Sequence, residues 1–286
     1  MIVHIYRQYV QIAMFIAAIY FSKLPPGYLF SLFTSKGIIM ASTIAFITGG
    51  NRGIGLETAR QLGKKGITVV IGARSELDGK EAVSTLKAEG IDVHAIAFDV
   101  KNSADHGKAY EYFAAEFGAL DILVNNAGCH LEGEAGVEHL YAASTVPSAV
   151  LQETFAINFF GVIGLTQALL PLIRKSSAGR IVNLSSILGS VSMQADPSSP
   201  IYDMKSTAYD SSKSALNSYT TQLAHELRNE STKVNSAHPG WVQTKMGGSL
   251  APMSIEEGAK TSVYLATLPE EGPSGGFFHM QDQLPW

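Results

Sequence analysis

Tyr209 and Lys213 stand four residues apart in Tyr209-Asp210-Ser211-Ser212-Lys213. On a helix that spacing sets a phenol and an ammonium on one face. A free phenol has a pKa of about 10, too high for ready proton exchange near neutrality, and an adjacent cation favours its ionised form. Earlier come two hydroxyls, Ser185 and Ser186, and before them the stretch Thr48-Gly49-Gly50-Asn51-Arg52-Gly53-Ile54-Gly55. Glycines at 49, 53 and 55 let a backbone approach a pyrophosphate closely where a strand turns into a helix, whose first N–H groups then point at the anion. A dinucleotide in that turn, a phenol beside a cation and a serine hydroxyl are the parts that move a hydride and a proton onto a carbonyl.

These groups need a scaffold that brings distant segments together. Thr43–Thr48 is a short apolar run closed by glycines, which predicts a strand buried on both faces. Helical spacing follows over Leu56–Lys65, with Gly66 as the stop. Further strands are predicted at 67–72, 93–98, 120–124, 179–184, 234–238 and, at the edge, 277–279. Helices are predicted at 76–89, 104–117, 150–172 and 209–228. Strands alternating with helices imply right-handed crossovers and a parallel sheet covered on both faces. With no linker or repeat after Met40, residues 41–286 read as one doubly wound α/β domain of about seven strands.

Cofactor choice is read where the second strand ends. An acid there would bond a ribose 2′-hydroxyl, whereas Ala73-Arg74-Ser75 offers a cation. Arg52 adds another, and guanidinium matches phosphate bidentately, so the pair favours NADPH/NADP+ over the unphosphorylated form. Asn51 and Ile54 lie in the same glycine turn. Asp99, with Val100 after it, follows the third strand and could accept from the adenine amino group. Asn125-Asn126-Ala127-Gly128 follows the fourth, where Asn125, Ala127 and Gly128 would let the backbone pass the adenine-side ribose.

The order of these motifs resembles the short-chain dehydrogenase/reductase family, from about Thr43 to the C-terminus. The resemblance implies a Rossmann fold and makes Tyr209 the general acid/base. Lys213 would hold the nicotinamide ribose beside Tyr209 and lower the phenol's pKa. It selects Ser186, in Ser186-Ile187-Leu188-Gly189, as donor to the substrate oxygen; Ser185 would point away along a strand. It also assigns Asn158 to a water that leads protons to the lysine. The Pro239-Gly240 turn and Thr244 would contact the nicotinamide carboxamide, and Val242 would also lie at the cofactor. The segment Val191–Thr207, longer than the common spacing, together with Leu284-Pro285-Trp286, looks like the carbonyl-reductase-like branch. Met193, Tyr202, Trp241 and Met246 are candidates for lining an apolar substrate pocket. Cys129 and His130 are assigned no chemistry, and Ser214, Asn217 and Thr221 a structural role.

The predicted activity is reduction of a ketone, aldehyde or quinone. An oxidative alcohol or hydroxysteroid dehydrogenase and a silent NADP-binding redox sensor are the alternatives, the last having no need of Ser186, Tyr209 and Lys213 together. A net charge of −4 carries no footprint for nucleic acid. One cysteine excludes an internal disulfide framework and a cysteine-based zinc cluster, and the eight histidines show no metal-ligand spacing. Residues 1–40 differ from the rest: apolar, aromatic and without an acid before Glu57. Their run Val10–Phe21 is short of the roughly 20 residues that span a bilayer. They read as a membrane anchor or interfacial helix, a removed targeting segment, or sequence upstream of a start at Met40. The expected location is the cytoplasm, with membrane contact only through residues 1–40; monomer and homo-oligomer both stay open.

Overall fold

β1 (Ile44–Thr48) and β2 (Thr68–Ala73) are buried along their whole lengths, as unbroken runs of Ile, Val, Ala and Phe require of strands covered on both faces. The computed structural model describes residues 43–133 and 141–286; the N-terminal segment 1–40, whose nature the sequence leaves open, lies outside them. The remaining strands are β3 (Val93–Ala97), β4 (Ile122–Asn125), β5 (Arg180–Leu184), β6 (Lys233–His238), β7 (Phe277–His279) and β8 (Asp282–Gln283). They form one sheet in the order β3-β2-β1-β4-β5-β6-β7-β8, parallel except for β8. The eighth strand is a two-residue antiparallel return after Met280, which adopts φ 54°.

Alternate strand residues feed opposite layers of core. Ala45, Ile47, Val69 and Ile71 pack with Ala59 and Leu62 of α1 (Gly53–Gly63), Ala82 and Leu86 of α2 (Glu76–Ala88) and Val263 of α8 (Ile255–Ala266). Ile44, Phe46 and Val70 pack on the other face with Phe113 of α3 (Ser103–Glu116), Leu165 and Leu169 of α5 (Gly161–Ile173) and Leu223 of α7 (Thr207–Glu226). Each fully buried Val, Leu, Ile or Phe side chain among them contributes about 1.5–3 kcal/mol. The sheet order reverses between β1 and β4, and the crevice beyond their carboxyl ends is where such folds place a ligand.

The predicted helix at 150–172 is α4 (Ser148–Phe155) and α5 joined by one π-helical turn, Ala156–Phe160. Among the described residues it is the one stretch long and apolar enough to cross a membrane, yet half of it is buried, with Leu165, Leu169 and Leu172 in the core. Two helices are not among those predicted: α8, which packs along α1, and the short α6 (Val191–Ala195).

Candidate active site

The glycine turn is built by its neighbours. Gly49 and Gly53 take φ values of +62° and +54°, open to glycine and strained for other residues. Gly50 N donates to Gly72 O at 3.2 Å, tying the turn to the end of β2, two residues before Arg74. From the other side Asn126 Nδ2 donates to Thr48 O at 2.8 Å and Gly49 O at 3.2 Å. A Cβ on Gly55 would come within 2.4 Å of both Gly49 O and Asn126 Nδ2, so no other residue fits. Arg52 caps α1 in extended geometry without a side-chain bond, and the first turn holds no acid, which leaves its Gly53, Ile54 and Gly55 N–H groups outside the intrahelical ladder.

That donor set fits a dinucleotide phosphate. Arg52 and Arg74 are exposed, and among the described residues neither enters an ion pair. Asn51 and Arg52 line a pocket of about 320 Å³ facing α2. A Cβ on Gly53 would meet only Thr244 Cγ2, at 3.7 Å, so the turns after β1 and β6 converge across a narrow open gap. Asp99 Oδ1 accepts from Lys101 N at 3.0 Å. The Val100 carbonyl is bonded to the His106 ring, and its side chain is buried.

Asn125 is placed differently from expectation. It is the last residue of β4, not part of the loop, and its side chain turns inward to donate to Thr166 Oγ1 at 3.1 Å and Asn183 Oδ1 at 2.8 Å. Strand parity sends Asn125 into the core and leaves Asn126 on the glycine turn. Val242 likewise faces α8, where a Cβ on Gly258 would strike it. The Thr244 hydroxyl is engaged locally, accepting from Gly247 N at 3.0 Å. Gly240, at φ +88°, has no room for a side chain against Met253 and His279, which leaves the Pro239-Gly240 turn tightly packed.

The reacting groups converge at the carboxyl ends of β4 and β5. Ser186 lies close enough to Tyr209 for its hydroxyl to favour the ionised phenol. Ser186 lies 8% exposed on a 3-10 turn, and its Oγ accepts from Leu188 N at 3.2 Å. Lys213 is buried and donates from Nζ to Leu184 O at 2.7 Å, with Nζ 5.6 Å from the Tyr209 ring centroid. A Cβ on Gly189 would sit 2.8 Å from Lys213 main chain, so this glycine lets α7 press against the serine turn. Asn158, in the π turn, trades two bonds with the Cys129 main chain and donates to Ser212 Oγ at 3.0 Å.

Burial dominates the electrostatics. It pushes the Tyr209 phenol up to about 12, against a lowering by the nearby Ser186 hydroxyl. It also pulls the Lys213 ammonium down to about 8. The lowering of the phenol expected from Lys213 is not what the chain's own groups produce: desolvation is the largest influence on both groups and disfavours both charged forms. At neutral pH Tyr209 holds its proton, the form a proton donor needs.

A model of the short chain dehydrogenase family matches residues 43–254. The chain belongs to the short-chain dehydrogenase family. It is 34% identical over 282 residues to (+)-neomenthol dehydrogenase of Arabidopsis thaliana, covering 82% of this chain and 95% of that one. It is 33% identical over 285 residues to NADPH carbonyl reductase 1 of Rattus norvegicus, covering 85% and 98%. Among solved structures, salutaridine reductase of Papaver somniferum superposes with a TM-score of 0.70 at 30% identity, over 82% of this chain and 99% of that one.

This family member also carries groups around its tyrosine to which the sequence assigns no role. The His130 ring packs 4.9 Å from that of Tyr209. Buried Glu132 accepts from Tyr209 N at 2.9 Å. His238 Nδ1 accepts from Ile187 N, next to Ser186, at 3.2 Å. All are non-local contacts without a spacing signal. Of the expected pocket residues, Met193 is half-buried, while Tyr202, Trp241 and Met246 are exposed. Among the described residues no group of acids, histidines and cysteines could hold a metal ion.

Proposed function

We propose that this protein reduces a ketone, aldehyde or quinone with NADPH, Tyr209 giving the proton to the oxygen that Ser186 holds. The observation that carries it is the convergence of Ser186, Tyr209 and buried Lys213 at the end of β5, with Lys213 Nζ bonded to Leu184 O and 5.6 Å from the Tyr209 ring centroid, which brings two O–H donors to one small volume. The protein is an NADP-dependent oxidoreductase of CH–OH and carbonyl groups, in keeping with a rat relative that is an NADPH carbonyl reductase.

Arg52, Arg74 and the α1 N–H groups would hold the phosphates, and Gly128, Lys213 and the Pro239-Gly240 turn the nicotinamide end. When bound, NADPH supplies the hydride from its nicotinamide ring. Ser186 orients the carbonyl and stabilises charge developing on its oxygen. Tyr209 donates its proton to that oxygen, and Lys213 steadies the phenolate left behind. The phenol then recovers its proton along the polar path past Lys213 and Asn158. The substrate is a small molecule, and the cytoplasm is the proposed site of action.

The test follows NADPH absorbance with a panel of ketones, aldehydes and quinones, using the parent and Tyr209→Phe. Turnover in the parent that falls by about 10²–10⁴-fold in the variant supports the reading. Equal turnover in both would sink the assignment of Tyr209. The Arabidopsis relative's name describes a dehydrogenase, so the same pair is assayed with NADP+ and cyclic alcohols.

A further inference from the structure

The first turn of α7 is capped from outside the helix. Its N-cap residue is Ser206 and Tyr209 is its third residue, whose N–H is one of the donors that a helix start leaves without an intrahelical partner. A serine N-cap ordinarily accepts that bond with its own hydroxyl. Here the Ser206 hydroxyl meets His130 Nε2 at 3.0 Å, and the Ser206 N–H donates to Asp210 Oδ2 at 2.9 Å. Tyr209 N donates instead to Glu132 Oε2 at 2.9 Å, across 77 residues of sequence.

Glu132 is a costly choice for that task. It is 1% exposed, and among the described residues its Oε1 has no hydrogen-bond partner. A buried polar atom left without a partner opposes folding by about 1–3 kcal/mol. A local serine or asparagine cap would satisfy the same N–H without that cost. What Glu132 adds is a connection. The loop it belongs to starts at the cofactor side of the site, where Asn126 binds the glycine turn and the Cys129 main chain binds Asn158. The same loop lays His130 against the Tyr209 ring at 4.9 Å, with Nδ1 3.0 Å from Gly133 O.

We propose that Glu132 is a positioning residue for the tyrosine, its carboxyl clasping the start of α7 to the β4 loop so that the phenol keeps a fixed distance from the cofactor turn. This rests on the role proposed above for Tyr209. A proton donor misplaced by about 1 Å can lose about 10²-fold in rate, while the phosphate-binding groups at Arg52 and Arg74 are untouched by the clasp.

The test compares the full chain with Glu132→Met, which keeps the volume without an acceptor, and Glu132→Gln, which keeps an acceptor oxygen. Two quantities are read: steady-state kinetics with NADPH and 1,2-naphthoquinone, and hydrogen exchange of the segment 206–213. The expected result for E132M is a kcat lower by tenfold or more, a KM for NADPH within twofold of the parent, and exchange of the Tyr209 amide at least tenfold faster. E132Q should recover most of both. Parent-like kcat and protection in E132M overturn the proposal, as does an E132Q no better than E132M. Where E132M does not fold, E132D, which withdraws the oxygen by one methylene, is read by the same two criteria. Absent turnover in the parent, or equal turnover in Tyr209→Phe, would remove the reading of Tyr209 instead; the exchange data would still decide whether Glu132 holds the helix.

Discussion

Asn158 and Cys129 are joined by a closed pair of bonds: Asn158 Nδ2 donates to Cys129 O, and Cys129 N donates to Asn158 Oδ1, each at 2.9 Å. The asparagine mimics a strand partner for the loop after β4. It can do so because the helix widens at Ala156–Phe160 into a π turn with Asn158 fully buried within it, a local irregularity often found where a helix serves a site. Removing the amide strands two main-chain groups. Asn158→Ala should therefore lose about 2–4 kcal/mol in urea unfolding, with turnover falling alongside; unchanged stability would show that the loop finds other partners.

Arg74 stands exposed just past β2, with the glycine turn tied to that strand end by Gly50 and Gly72. A guanidinium bonded to a phosphate contributes about 1.5–3 kcal/mol. Arg74→Glu should raise the KM for NADPH by about 10–100-fold and leave that for NADH unchanged or lower, with kcat at saturating cofactor within about threefold. Equal effects on both cofactors would mean that Arg74 does not meet the 2′-phosphate.

How much of this was readable in the chain depends on how local each signal is. The glycine turn, Arg74, Ser186 and the Tyr209–Lys213 pair are local patterns, and the structure brings them to one end of the sheet. The parallel strands were legible from apolar runs. Asn125 ends β4 instead of opening the loop, and one residue of register decides that its side chain faces the core. α8 carries a local start signal, Ser254 and Glu257 forming a capping box. Glu132, His130 and His238 had no signal to find, since each acts on a partner more than fifty residues away. Their meaning exists only after the fold has assembled.

His238 illustrates such a contact. Its Nδ1 accepts from Ile187 N at 3.2 Å, joining the end of β6, just before Pro239-Gly240, to the turn that holds Ser186. Burial, with a lesser push from His279, holds the imidazole down at about 3, so it stays a neutral acceptor from pH 5 to 9. His238→Asn keeps an acceptor near the Nδ1 position, whereas His238→Ala leaves the amide unmet. The alanine variant should lose between about tenfold and 10²-fold in kcat, and the asparagine variant much less. Neither change should move the acid limb of the pH profile; an acid limb lost in both would show that His238 titrates in the working range.

Asp210 gives the fold a pH dependence of defined sign. Burial, with Glu132 adding to it, raises its carboxyl from 3.8 to about 7. Between those values the folded chain keeps a proton that the unfolded chain has released, so the folded state binds more protons and stability falls as pH rises through the window. Above pH 7 both states are ionised and the slope from this group vanishes. The amount at stake is on the order of a few kcal/mol. Asp210→Asn keeps an acceptor for Ser206 N and Gln194 Nε2, which Asp210 Oδ2 now serves at 2.9 and 3.0 Å, and cannot ionise. The difference in Tm between D210N and parent should be smallest near pH 4, grow in favour of the variant up to about pH 7 and level off above it. A difference independent of pH would place the Asp210 carboxyl in its ordinary range.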